Sequence, residues 1–321
     1  MSAYPYTFPV SFPLLSRYTK LSEYAIDDII NGQVTITNIG EFNDIFDGAI
    51  HAFHSKEEMD SLAEQECNEV TSILESCGVF LPSKYHEESV KHKKFVFEQQ
   101  RRGDFHSLDY LGAFVCCFSA KSNSTLMWSH YAGYNTGMCV TYDFNQWTDD
   151  EDLRYFVLPV AYTDKPIIIP DKNQKTDECE HPIIANILCT ALCKAKIWQY
   201  ENEWRLIFLN PLESNRRMSL TLKTKPISVC FGYHFMKTFF CSENKKNIEN
   251  FNKLLLYLID NDIQTSIITP EIGGYKLISK NIEAEKLQSF INKEIKNKAK
   301  YLQSMRFYYV LQNRLLNMLE K

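Results

Sequence analysis

Two carboxylates and a guanidinium alternate in the segment KIWQYENEWRLIF. Side chains along a β-strand point to opposite faces in turn, so Glu201, Glu203 and Arg205 are expected to share one face. A carboxylate in such a group could stabilise a developing positive charge or activate a nucleophile, steered by the arginine. The other interpretation is a surface ion-pair ladder, worth under about 1 kcal/mol. The pattern leaves both interpretations open.

Polar aromatic residues are concentrated in a second segment, STLMWSHYAGYNTG. It is predicted to form a short helix over residues 124–132 that ends at Gly133, between two apolar runs of strand length. His130 is the side chain best suited to proton transfer or polar recognition near neutral pH. The same residue could equally be a hydrogen-bonded packing residue, so its type alone does not decide its role.

A third segment, FNDIFD, combines two aromatic residues with Asn43, Asp44 and Asp47. Such a segment is either a turn held in place by its two phenylalanines or a loop that contacts a polar ligand. Asp44 and Asp47 could also converge with His130 and Glu203 on a hard cation, which would favour a metal-dependent nuclease.

The composition restricts the class of protein to which these segments belong. The chain has 321 residues, 45% hydrophobic and 23% charged, with a net charge of -5. This balance is typical of a soluble globular protein and gives no indication of nucleic-acid binding. The ten cysteines form no C-x-x-C pair, which favours a reduced, cytoplasmic protein. No basic leader and no run of about 18 apolar residues is found, so no membrane association is expected.

The candidate residues must be positioned by mixed helices and strands. Apolar runs such as GAFVCCFS, GMCVTYD and PISVCFG predict strands, and PIIANILCTALCKAKIW predicts an apolar helix. No regular βαβ alternation is present, so we predict an α+β fold of mixed or antiparallel sheets with flanking helices. Residues 1–280 are expected to form the main domain, with a helical insertion at about 55–103. Residues 281–321 are expected to form amphipathic helices as a C-terminal appendage.

Five blocks of the chain resemble a widespread bacterial family of domains of unknown function. The blocks contain GEFNDIFDG, CCFSAKSNSTLMWSHYAGYNTGMCVTYD, VAYTD, KAKIWQYENEWRLIF and ISVCFG, and they span roughly residues 17–280. Family members carry FNDPFD, CFS, LMWSHYA and YE.EWR in the same order. Here Ile45 replaces the usual proline and Thr19 a frequent arginine. The resemblance implies a place in bacterial anti-phage defence or toxin loci, but it implies no reaction.

The chain also resembles the ADP-ribosyltransferase-like fold in the order of a few residues. Tyr18, Ser119, Tyr131 and a late-strand glutamate follow that order, and ENE resembles the E-x-E element of arginine-modifying transferases. This resemblance implies an ADP-ribosyltransferase or NAD hydrolase with NAD as substrate. Its catalytic residues would be Glu203 as the principal carboxylate, Glu201 as its helper, and His130. Its nucleotide-binding residues would be Tyr18, Asn43, Asp47, Ser119, Trp128, Tyr131 and Arg205.

Two other functions remain open alongside the NAD-using enzyme. One is a non-catalytic module that senses a nucleotide within a defence complex and binds a protein partner, or a second copy, through its C-terminal helices. The other is the metal-dependent nuclease.

Overall fold

The structure is a computed structural model, and it describes residues 11–44, 46–47, 56–76, 78–101, 113–146, 157–164, 190–210, 215–222, 224–240, 245–297 and 306–319. Its strands are β1 Leu15–Thr19, β2 Gln33–Asn38, β3 Ala113–Ser119, β4 Met138–Tyr142, β5 Val157–Pro159, β6 Ala161–Thr163, β7 Cys193–Ala195, β8 Glu203–Leu209, β9 Arg217–Thr221, β10 Pro226–Phe231, β11 Gln264–Pro270 and β12 Leu277–Asn281. Its α-helices are α1 Glu23–Ile30, α2 Lys56–Ser76, α3 Ser83–Arg101, α4 Thr125–His130, α5 Lys237–Phe240, α6 Lys245–Asp260, α7 Ala284–Asn297 and α8 Arg306–Leu319.

A ten-stranded mixed sheet organises the described part of the chain. Its main path runs β12-β11-β10-β4-β1-β3-β2-β9, and β8 pairs with both β3 and β5. Strands β10 and β11 run parallel, whereas the other pairs in this sheet are antiparallel. Strands β6 and β7 form a separate parallel pair. The predicted α+β fold with a mixed sheet is therefore confirmed.

One face of the sheet carries the main hydrophobic core. Phe114, Cys116 and Phe118 of β3 point into it, because alternate residues of a strand share a face. Helices α1, α6, α7 and α8 cover this face with their apolar stripes, and Leu287 and Leu315 of the two C-terminal helices are fully buried in it. The predicted C-terminal helices are thus present, and they share the core of the sheet.

The opposite face carries two smaller apolar clusters. One surrounds Val115 and Ile207, and the other contains Tyr18, Met127 and Trp128. The helix predicted over residues 124–132 is confirmed as α4, whose first turn is capped by Ser124. These elements leave a polar region on the same face of the sheet, at the start of β8.

The segment predicted to be helical, at about 55–103, contains the helices α2 and α3. Within the described residues, no helix is both long and apolar enough to cross a membrane.

The apolar helix predicted in PIIANILCTALCKAKIW is wrong in its last part. Residues 182–189 lie outside the described residues, but Cys193–Ala195 form strand β7 and Lys196–Glu201 form a 3-10 helix. Strand β7 pairs with β6, and this partner was not visible in the local pattern. A short apolar run fits a buried strand as well as a helix, and tertiary pairing decides between them here.

Candidate functional site

A network of buried ion pairs fills the polar region at the start of β8, and Arg205 is its centre. The Arg205 guanidinium has no exposed surface. It binds both Asp47 oxygens, at 2.7 Å and 2.6 Å, and both Glu203 oxygens, at 2.8 Å and 3.2 Å. It also donates to the Ala191 carbonyl at 2.6 Å. Two paired carboxylates and a carbonyl therefore compensate the buried charge.

Lys194 of β7 extends the network to a third carboxylate. Its Nζ atom donates to Glu201 Oε2 at 2.6 Å and to Glu203 Oε2 at 3.0 Å, and it lies 3.6 Å from Asp47 Oδ2. The same ammonium lies 5.0 Å from the centre of the Trp198 ring, a distance at which the ring face attracts a cation. Lys194 is therefore the link that joins all three carboxylates.

Glu201 is 2% exposed and joins the network through Lys194. We call this the outer end of the network, because Glu201 has no contact with Arg205 among the described contacts. Tyr131, the residue after α4, donates its hydroxyl to Glu201 Oε1 at 2.5 Å, and Ser119 Oγ donates to the Glu201 carbonyl at 2.5 Å. Glu201 ends a 3-10 helix, and Asn202 then adopts φ 45° and ψ 52° before β8 begins. Asparagine tolerates this left-handed conformation better than most residues. The turn lets Glu201 and Glu203 reach the same ammonium.

The two glutamates differ in their affinity for protons. Burial raises the pKa of Glu203, but the adjacent Arg205 and Lys194 outweigh this effect and lower the pKa to about 2. Burial also raises the pKa of Glu201, and the neighbouring Lys194 and Tyr131 offset this effect only in part, so its pKa stays raised. Glu203 is therefore a fixed anion, whereas Glu201 is the carboxylate that can accept a proton.

The lowered pKa of Glu203 predicts a loss of stability in acid. Its pKa is 4.5 without the fold's interactions and about 2 in the folded protein, so the unfolded chain binds the proton more tightly. The stabilisation from this group is complete above about pH 4.5 and is lost as the pH falls toward 2. We expect the slope of unfolding free energy against pH to be smaller in Glu203→Gln across this window. Equal slopes for the variant and the native chain, measured by urea denaturation, would contradict the assignment.

The outer end of the network lies next to an aromatic rim. Tyr131 and Tyr200 are half-buried and His130 is exposed. His130 Nδ1 shares a hydrogen bond with Tyr200 Oη at 3.2 Å, and its ring packs edge-on against both tyrosines. His130 therefore lies beside Tyr131, which contacts Glu201.

Tyr18 and Trp128, both predicted to bind a nucleotide, are packing residues. The Tyr18 hydroxyl donates to the Lys121 carbonyl at 2.8 Å, and its ring packs edge-on against Trp128 at 5.4 Å. Trp128 has no exposed surface, and its indole N–H donates to the Ser122 carbonyl at 2.9 Å. Trp128 therefore packs inside the protein, and its role in nucleotide binding remains a prediction.

The other predicted binding residues divide between the network and the surface. Asp47 and Arg205 bind each other, which assigns them to positioning the carboxylates. Ser119 is fully buried, and its hydroxyl holds the backbone of Glu201. Asn43 is exposed on the loop that carries Asp47.

Lys194 and Tyr162 belong to the site but were not among the predicted residues. The Tyr162 hydroxyl accepts a hydrogen bond from the Glu203 backbone N–H at 2.8 Å. A lysine inside the apolar run CTALCKAKIW was the available signal, because a buried lysine needs anionic partners. That run was predicted to be part of an apolar helix, and Lys194 was therefore not predicted as a site residue.

The metal-dependent nuclease considered above would need several side chains that converge on one cation, and the described residues contain no such set. Among them, no group of three or more His, Cys, Asp and Glu side chains could hold a metal ion. Asp47 and Glu203, two of the expected ligands, are neutralised by Arg205 and Lys194. Binding a cation there would require both ion pairs to break.

Fold and site together define an α+β protein whose mixed sheet carries a buried network of three carboxylates and two cations. The family described as "Protein of unknown function (DUF2971)" matches residues 127–206, a range that contains Tyr131, Lys194, Glu201, Glu203 and Arg205. The resemblance to a family of unknown function is therefore confirmed. No curated protein and no solved structure matches the chain. These comparisons give no support to the resemblance to ADP-ribosyltransferases.

Proposed function

We propose that this protein cleaves the N-glycosidic bond between nicotinamide and ribose in NAD, with Glu201 as the catalytic carboxylate. The observation that carries the proposal is the position of Glu201 at the outer end of the network, with a raised pKa. It is the only carboxylate of the three that Arg205 does not bind among the described contacts.

The charge of the network supports this assignment. Three carboxylates face two cationic side chains, Lys194 and Arg205, so the network carries an excess negative charge. Cleavage of a glycosidic bond passes through a ribose ring with positive charge at C1′ and the ring oxygen. A fixed carboxylate in a water-excluded site stabilises such a charge strongly, because it needs no reorganisation during the reaction.

The reaction uses the groups of the site in turn. The C1′–N bond breaks, and nicotinamide leaves with the electron pair as a neutral molecule. Water, or a nucleophile of a target molecule, then forms a bond to C1′ and passes its proton to Glu201, whose raised pKa suits a base. Tyr131 orients Glu201, and the exposed rim of His130 and Tyr200 offers aromatic surface on the nicotinamide side.

The test is direct incubation of the purified protein with NAD, with free nicotinamide followed by proton NMR. We expect nicotinamide to accumulate in proportion to protein concentration and time. Saturable NAD binding without nicotinamide release would overturn the enzymatic proposal and favour the nucleotide-sensing alternative. If NAD is neither bound nor cleaved, the enzymatic proposal and the nucleotide-sensing alternative are both overturned.

The setting of this activity is part of the same proposal and rests on the family resemblance. The enzyme would act in the bacterial cytoplasm as an effector of anti-phage defence or as a toxin. Lowered cellular NAD after expression of the native chain, measured against Glu201→Gln, would test this setting. Partner binding or self-association would use the outward faces of α7 and α8, since Leu287 and Leu315 are buried in the core.

A further inference from the structure

Asp44 has a buried carboxylate oxygen without a hydrogen-bond partner among the described residues. The residue is 8% exposed. Its Oδ1 accepts a hydrogen bond from the Phe46 N–H at 3.0 Å, and its carbonyl accepts one from the Asp47 N–H at 3.1 Å. Oδ2 is buried and has no hydrogen-bond partner in the described part of the chain.

An unpaired buried oxygen of this kind is costly. Nearly all buried polar atoms in folded proteins have a partner, and a carboxylate without one loses its hydration without compensation. The turn itself does not require the second oxygen, since asparagine or serine caps such a turn with a single acceptor. None of the described residues supplies the missing hydrogen bond, and a donor group of a bound ligand would supply it.

The position of Asp44 connects this oxygen to the candidate site. Asp47, three residues later, binds Arg205 through both oxygens, and the Phe42 ring lies 5.5 Å from the guanidinium carbon. The loop is therefore fixed to the network from both sides of Asp44. Arg205 in turn binds Glu203, which shares Lys194 with Glu201, so the loop belongs to the same network as the proposed catalytic carboxylate.

We propose that Asp44 Oδ2 accepts a hydrogen bond from a hydroxyl or amide group of the nucleotide substrate. This inference rests on the proposed function and adds a substrate-binding residue to it. NAD carries donors of both kinds, the ribose hydroxyls and the nicotinamide carboxamide.

The test is the affinity for NAD, measured by calorimetry in a Glu201→Gln background that blocks turnover. Asp44→Asn keeps one acceptor for the turn and replaces the other oxygen with a donor, and Asp44→Ser also retains a turn-capping oxygen. We expect binding about 10- to 100-fold weaker in both variants. The thermal midpoint should not fall in Asp44→Asn, because the asparagine oxygen can still accept the hydrogen bond of the turn from the Phe46 N–H. Asp27→Asn, at an exposed position of α1, is the control and should bind NAD normally.

The outcomes separate this inference from the proposed function. NAD affinity within twofold of the Asp27→Asn control in both Asp44 variants would overturn the inference and leave the proposed function intact. If the Asp44 variants bind NAD more weakly but the native protein releases no nicotinamide, Asp44 is a nucleotide-binding residue and the enzymatic proposal is overturned. Free nicotinamide is a second probe, and it shows which group of NAD donates to Asp44. If the Asp44 variants also bind nicotinamide more weakly, the donor is the carboxamide. If they bind only NAD more weakly, the donor is a ribose hydroxyl.

Discussion

Replacement of Arg205 by methionine is expected to lower the free energy of unfolding by about 3–5 kcal/mol. Methionine has a similar length but no charge, so Asp47 and Glu203 would remain buried with only Lys194 nearby. Loss of one partner from a buried ion pair leaves a charge that neither water nor protein compensates. Urea denaturation at neutral pH measures the difference.

Two matched variants make the Arg205 experiment decisive. Arg216 pairs with Glu41 at the exposed surface, at 3.5 Å, so Arg216→Met should change the unfolding free energy by under about 1 kcal/mol. Arg205→Lys should recover only part of the stability, since one ammonium cannot bind two carboxylates through parallel pairs. Equal stability of the Arg205→Met and Arg216→Met variants would show that the network does not hold this region together.

Replacement of Glu201 by glutamine is expected to reduce nicotinamide release by about 100- to 1000-fold while the protein stays folded. Glutamine keeps the shape of the side chain and an oxygen that can accept from Tyr131 or Lys194. It removes the negative charge that would face C1′ and the group that would accept the proton. Initial rates of nicotinamide release at saturating NAD measure the loss, and circular dichroism melting checks the fold.

A surface glutamate provides the control for Glu201. Glu283, the exposed residue before α7, pairs with Lys286 in the first turn of that helix, so Glu283→Gln should retain the native rate. More than about a tenth of the native rate in Glu201→Gln would assign the chemistry to another group.

The sequence was sufficient to predict the class of fold and part of the site. Strand alternation was expected to place Glu201, Glu203 and Arg205 on one face. Glu203 and Arg205 do share a face of β8, but Glu201 ends a 3-10 helix before the strand and reaches Lys194 through the turn at Asn202. Apolar runs of strand length predicted β3, β4 and β10, because strands buried on both faces have near-continuous apolar sequences. These signals are local, and each depends on a few consecutive residues.

The environment of the charges could not be predicted, because it depends on distant partners. The surface ladder considered for ENEWR differs from the buried network observed, whereas the catalytic role considered for its carboxylates remains a proposal. Asp47 lies 158 residues from Arg205 along the chain, and Lys194 reaches the site on a strand formed only by pairing with β6. The burial of Trp128 has the same origin, since its residue type does not show that α4 packs its ring against Tyr18.

The most direct test of the central claim is a crystal structure of the Glu201→Gln variant with NAD. We predict that the nicotinamide ribose binds with its C1′ atom within about 4 Å of the substituted side chain at position 201, close to the distance of a reacting pair. We also expect Arg205 to bind Asp47 and Glu203 as in the native chain. NAD bound away from residues 201 and 131, or no bound NAD at saturating concentration, would contradict the assignment of Glu201 as the catalytic carboxylate.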